Sequence, residues 1–110
     1  MAHQLLHHLF TADEWTRARR LGAIVPASPV AEPFVHCSTA AQVRETVRRG
    51  HRAASGLLVA DIAVSRLAHE VRWEGSGGHG VFPHVYGPIP LAAITRILPW
   101  SIWNAERRTP

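Results

Sequence analysis

The sequence predicts a small α+β domain, a mixed and largely antiparallel sheet carrying two helices. Three observations lead there. Short apolar segments alternate with two stretches, TADE at 11–14 and TAAQ at 39–42, that have the spacing of helix-opening capping boxes. The strongest β-branched apolar run, LLVADIAV at 57–64, alternates only weakly, as a central strand should. No glycine-rich turn with phosphate-loop or dinucleotide spacing follows the first apolar run. The order β-α-β-α-β-β-loop-β is therefore neither a doubly wound nucleotide fold nor a bundle.

QLLHHLF at 4–10 reads as the first strand, with Leu6, His8 and Phe10 on one face and Leu5, His7 and Leu9 on the other. Thr11 and Glu14 would satisfy the first free amides of the helix that follows, which runs to about Arg20 and buries Trp15 and Ala18. Gly22, Pro26, Pro29 and Pro33 make 21–33 an irregular crossing. FVHCS at 34–38 is a second short strand, and the helix opened by TAAQ ends near Gly50. HEVRWE at 69–74 alternates cleanly and is expected to lie beside the 57–64 strand. After a glycine- and proline-rich loop, AAITRILP at 92–99 closes the sheet. The domain then covers 1–100, and the tail at 101–110 is expected to dock through Trp100 and Trp103 before fraying. There is no internal repeat and no interdomain linker.

A chain of 110 residues with 46% hydrophobic residues has room for one domain and enough apolar surface for a core. No apolar run approaches the roughly 18–20 residues needed to span a bilayer. MAHQLLHHLF lacks the basic and long apolar regions of a signal peptide, and Cys37 is the single cysteine, so a cytoplasmic protein without membrane association is expected. The net charge of +4 comes with twelve arginines and no lysine. Arg17, Arg19 and Arg20, then Arg44, Arg48, Arg49 and Arg52, and finally Arg107 and Arg108 cluster on predicted helices or the tail. Without interleaved aromatics they read as solvated helix faces, and a nucleic-acid partner is not favoured.

Chemistry concentrates in RWEGSGGHGVFPHVYGPIP at 72–90, where Trp73, Glu74, His79, His84 and Tyr86 sit among five glycines and three prolines. Glu74 ends a strand on a face shared with Glu70 and Arg72, while Val71 and Trp73 take the other face. Its carboxylate is placed to accept hydrogen bonds from ribose hydroxyls or to stabilise developing positive charge; an Arg–Glu surface contact is the plainer alternative. Trp73 and Tyr86 offer stacking and hydrogen-bonding groups. His36 and Ser38 share a strand face and form a candidate pair, whereas Cys37 points away and reads as a small buried hydrophobe. His8, His36, Glu74 and His84 are expected to converge on one cleft. The remaining His3, His51, His69 and His79 read as surface residues. His7 and His8 face opposite ways and no HxxxH falls on a helix, so no bound metal is expected.

These segments, in this order, resemble a bacterial family catalogued as Domain of Unknown Function 952. The matches are His8 in HHLFTADEW, FVHCST at 34–39, VRWE at 71–74 and FPHVYGPIPL at 82–91, with VADI and Leu67 between them. The resemblance covers about residues 5–98. That family is grouped by fold with ADP-ribosyltransferase-like domains, which implies a split antiparallel sheet with an NAD cleft between its halves. By this resemblance His8 takes the first-strand position that binds the ribose or amide part of the dinucleotide, His36 and Ser38 line the second wall, and Glu74 takes the carboxylate position. The chain departs from the pattern at Ile24 and Val25, where an aromatic is usual, at Glu32-Pro33-Phe34 in place of Glu-Gly-Phe, and at His7, where tyrosine is common.

The expected function is binding of NAD or a related nucleotide and cleavage or transfer at its N-glycosidic bond. Glu74, His84 and His36 form the catalytic set, and His8, His36, Ser38, Trp73 and Tyr86 hold the ligand. One alternative is an inactive domain that binds a nucleotide or phosphorylated metabolite. Another is a small-molecule biosynthetic enzyme using His84 as acid and base.

Overall fold

A computed structural model describes residues 3–51, 56–75, 78 and 80–107. Strand β1 is Leu5–Phe10, helix α1 Ala12–Leu21, β2 Ala23–Ile24 and β3 Val35–His36. Helix α2, Val43–Thr46, widens into a π-helical turn at Val47–His51, and β4 follows at Leu58–Ala63. The chain continues with β5 Val71–Gly75, β6 Val81–Val85, β7 Ile89–Pro90, β8 Ile94–Pro99 and helix α3 Trp100–Arg107. This is a small α+β architecture of antiparallel sheets with three helices among the described residues, one more than expected.

The strands form two three-stranded sheets, β1-β4-β8 and β3-β6-β5, and a short β2-β7 pair. β4 is central, as its sequence indicates, but β5 is not its neighbour. Both edges of β4 are taken by β1 and β8, and β5 pairs with β6 in the second sheet. A 3-10 turn at Val64–Arg66 carries the chain off the first sheet before β5 begins. The two sheets meet where His7 and Ser38 exchange backbone bonds of 2.9 and 2.8 Å.

β6 occupies what reads in sequence as loop. Proline rarely sits in a central strand because it has no N–H to give the ladder. The Pro83 carbonyl accepts from the Cys37 amide, so its nitrogen faces the same side, where β3 has already ended. No bond to β5 is lost.

β1 and β4 are covered on both faces. Leu6, Phe10, Ala60 and Ile62 join Ala18, Val35, Val85 and Ile89 in one core cluster. Leu9 and Val59 join Val43, Val47 and Trp103 in another. Burial on both sides explains why 57–64 barely alternates. Trp103, 1% exposed, docks the tail into the core as expected, and the docked segment is a helix through Arg107 rather than a short cap; residues 108–110 lie outside the described residues. The helix is further tied down where Arg44 Nε donates to Asn104 Oδ1 at 2.7 Å and Arg96 pairs with Glu106 at 2.8 Å.

The first capping box forms in full: Thr11 Oγ1 accepts from the Glu14 amide, and Glu14 Oε1 accepts from the Thr11 amide. The second forms by half. Gln42 Oε1 accepts from the Thr39 amide at 3.0 Å, while Gln42 Nε2 donates to the Val81 carbonyl at 2.7 Å, pinning α2 to β6. Gly22 ends α1 in the left-handed region at φ +83°, with its amide donating to Ala18. A Cβ there meets no neighbouring atom within 4 Å, so only the backbone conformation penalises it. Gly22→Ala is therefore expected to cost about 1–2 kcal/mol, read as a lower urea midpoint with unchanged slope.

Candidate functional site

The second sheet builds the site. β3 and β6 place His36 directly opposite His84, and β5 brings Glu74 in from the other side. His84 Nδ1 lies 2.7 Å from Glu74 Oε1, a geometry in which the ring N–H donates to the carboxylate. The Tyr86 hydroxyl donates to the same carboxylate, 2.8 and 2.9 Å from its two oxygens. The bond from His84, and then that from Tyr86, holds the Glu74 carboxyl below its ordinary range. The same contact with Glu74 pushes the Tyr86 phenol up.

Phe34 stacks on His84 with centroids 4.2 Å apart and planes 12° from parallel, while His36 meets His84 edge-on at 4.9 Å. His84 is thus clamped by its partners and only 5% exposed. Its Nε2 is buried and has no hydrogen-bond partner among the described residues. His84 also forms part of the wall of a cavity of about 90 Å³, together with His36, Ser38, Thr46, Arg49 and Phe82. Glu74 and Phe34 are not in that wall.

The other candidates fall into place unevenly. His8 Nδ1 donates to the His36 carbonyl at 2.7 Å, so it supports the strand that carries His36 and is not in the cavity wall. His36 is exposed at its edge, with Nε2 3.2 Å from Glu32 Oε1. Ser38 is buried, with Oγ 2.9 Å from Thr46 Oγ1. Trp73 is separated from the rest: strand alternation turns it from Glu74, and it stands 46% exposed with its ring 5.3 Å from His3. Arg72 pairs with Glu70 at 2.8 Å rather than with Glu74, and its guanidinium covers the Tyr86 ring at 4.1 Å. His3 and His69 are exposed as expected; His79, the His51 side chain, Arg52 and Arg108 lie outside the described residues.

Among the remaining arginines, Arg17, Arg19, Arg20, Arg44 and Arg48 are exposed on their helices. Arg49 is also an exposed residue, but its guanidinium lies over the Phe82 ring at 5.2 Å and it lines the cavity. Sequence reasoning missed it along with Thr46, its neighbour one helical turn away. It also missed a buried polar cluster in the first sheet: Asp61 Oδ1 accepts from His7 Nδ1 at 2.8 Å and from Trp103 Nε1 at 3.0 Å. The one hint was an acidic residue inside an otherwise apolar strand, opposite a histidine. No group of three or more His, Cys, Asp or Glu among the described residues is placed to hold a metal ion. No helix among them is long and apolar enough to cross a membrane.

Cys37 is buried, and burial pushes its thiol up to about 12. Its sulfur is therefore unsuited to act as a nucleophile. Iodoacetamide at neutral pH is expected to leave Cys37 unlabelled in the folded protein and to label it fully in urea. Rapid labelling of the native state would contradict this placement.

Fold and site together define a small α+β protein of separate antiparallel sheets, with a histidine–carboxylate pair set beside a small cavity. The chain belongs to the family described as protein of unknown function (DUF952), whose model matches residues 9–97. It is similar to the crystal structure of CC0527 from Caulobacter crescentus, with a TM-score of 0.76 and 28% identity over 86% of this chain and 84% of that one. It also resembles the solution NMR structure of the same protein, with a TM-score of 0.73 and 28% identity over 88% and 84% of the two chains. No curated protein matches the chain.

Proposed function

We propose that this protein is an enzyme acting at the N-glycosidic bond of NAD or a related nucleotide, with His84 as its acid–base group and Glu74 as the anion behind it. The observation that carries the reading is the His84–Glu74 pair, whose Nδ1 is held by a carboxylate while Nε2 is buried without a partner among the described residues. A base oriented by a third group is the arrangement that general acid–base chemistry uses. In the proposed reaction the C1′–N bond breaks and its electron pair leaves with the nicotinamide nitrogen. Water attacks C1′ and His84 Nε2 takes its proton. Glu74, held ionised by His84 and Tyr86, offsets positive charge on the imidazolium and on the ribose.

The substrate class rests on fold analogy. Two three-stranded sheets joined at the His7–Ser38 bridge support the ADP-ribosyltransferase-like, split-sheet grouping that the sequence resemblance implies. In this reading His8 and His36 set the strand edge along which the nucleotide lies, NAD is a substrate, and the chemistry uses no metal. A single cysteine held as a buried thiol fits a cytoplasmic protein. The cavity of about 90 Å³ favours a second reading, a small-molecule enzyme with the same acid–base pair, since it holds a ring or headgroup but not a dinucleotide.

Incubation with NAD and chromatographic separation of nicotinamide tests the proposal. Nicotinamide release that depends on His84 is the expected result. A thermal shift with NAD but no release would make this a binding domain. Neither effect would leave the small-molecule reading in its place.

A further inference from the structure

The cavity beside His84 has a cationic wall that the acid–base scheme does not use. The Arg49 side chain is only 28% exposed, lies over Phe82, and stands 3.6 Å from Glu45 through its Nε. That pairing is loose, and Glu45 also serves Arg48. A guanidinium has five N–H donors, so this contact leaves most of its capacity unspent. His84 belongs to the same wall, and its buried Nε2 lacks a partner among the described residues; a buried polar atom in that state calls for a water, an ion or a ligand. Phe82 and Leu9 contribute apolar surface to the same wall.

We infer that this cavity is a subsite for a small oxyanion, the phosphate or carboxylate arm of the substrate, held by the Arg49 guanidinium beside His84, whose Nε2 stays open to the attacking water. A planar guanidinium matches either oxyanion through paired N–H donors. The size agrees: about 90 Å³ is several times the roughly 10–15 Å³ that holds one water and well below the roughly 300 Å³ at which ligand pockets begin. The carboxylates facing these groups are engaged elsewhere, Glu45 with Arg48 and Arg49, Glu74 with His84 and Tyr86, and Glu32 with His36.

The inference rests on the proposed function only for the molecule to which the anion belongs. Binding is read without turnover, so the two fail separately. The full chain is titrated with sodium phosphate, and in a second arm with sodium acetate, against sodium chloride of equal ionic strength. Saturable movement of the His84 imidazole NMR signals is expected in at least one arm, and the arm that saturates names the oxyanion. Arg49→Ala should weaken that binding by about tenfold or more, the loss of a charge-assisted contact. Arg48→Ala, which removes an exposed neighbour sharing the same glutamate, should change it by less than about twofold. Arg49→Lys keeps the charge and recovers part of the affinity, which separates a lost contact from a lost fold. No saturation by either anion, or equal losses from the Arg48 and Arg49 variants, would overturn the subsite. Phosphate binding without NAD cleavage would remove the glycosidic reading and leave the subsite standing.

Discussion

Replacing Asp61 by alanine is expected to destabilise the fold by about 2–6 kcal/mol, because two buried donors are left unpaired at about 1–3 kcal/mol each. Asp61 sits on β4, 4% exposed, and accepts from His7, from Trp103 and, at 3.4 Å, from Arg96 Nε. Truncation leaves His7 Nδ1 and the Trp103 indole N–H buried without an acceptor. It also cuts the polar link between β1, β4 and α3, the last of which contributes Trp103 to the core. Asp61→Asn keeps the shape and one acceptor oxygen, so its loss should be smaller and the variant should remain folded. Burial alone would raise the Asp61 carboxyl, but the hydrogen bonds from His7 and Trp103 and the charge of Arg107 outweigh it and hold the group below its ordinary 3.8. A depressed folded-state value means that the ionised carboxylate stabilises fully above 3.8 and loses that contribution as pH falls through the lower folded value. The gap in urea midpoint between wild type and Asp61→Asn should therefore shrink on acidification. A gap independent of pH would mean that the carboxylate charge contributes nothing there.

That cluster also shows why some of the molecule is legible in the residues and some is not. β1, the TADE cap and β4 follow from local chemistry: alternation, a reciprocal side-chain cap and a β-branched run. The pairing of β5 does not, because nothing within HEVRWE says that both edges of β4 are already occupied. β6 is hidden by Pro83 and by the glycines before it, and becomes acceptable only because β3 stops short of Pro83. α3 carries no capping residue at its start, and only the burial of Trp103 between the sheet and α2 makes it a helix of the core. The histidines and Glu74 were legible as types, since strand alternation assigns their faces. Arg49 was not, because its role depends on Phe82, 33 positions away in the chain, coming to lie beneath its guanidinium.

If Glu74 orients His84 and offsets charge in a glycosidic reaction, Glu74→Gln should keep nucleotide binding nearly intact and lower turnover by about a hundredfold. The amide retains the shape and an oxygen that accepts from His84 Nδ1 or Tyr86, but it cannot supply the anion that stabilises an imidazolium or an oxocarbenium-like ribose. Glu74 stays ionised below the ordinary carboxyl range, since His84 and then Tyr86 hydrogen-bond its charged form, so acid conditions down to about its usual 4.5 should not remove its contribution. His84→Ala deletes the proton-transfer group itself and should lower turnover by a hundred- to ten-thousandfold. His36→Ala should act differently, raising KM more than it lowers kcat, because His36 meets His84 edge-on and lines the cavity without holding the reacting proton. The measurement is steady-state nicotinamide release, normalised to folded protein by calorimetry. Glu74 also ties β5 to β6 through His84 and Tyr86, so the opposite outcome has an equally definite form. A fall in thermal midpoint for Glu74→Gln with turnover per folded molecule unchanged would make the carboxylate a brace for the second sheet and remove it from the chemistry.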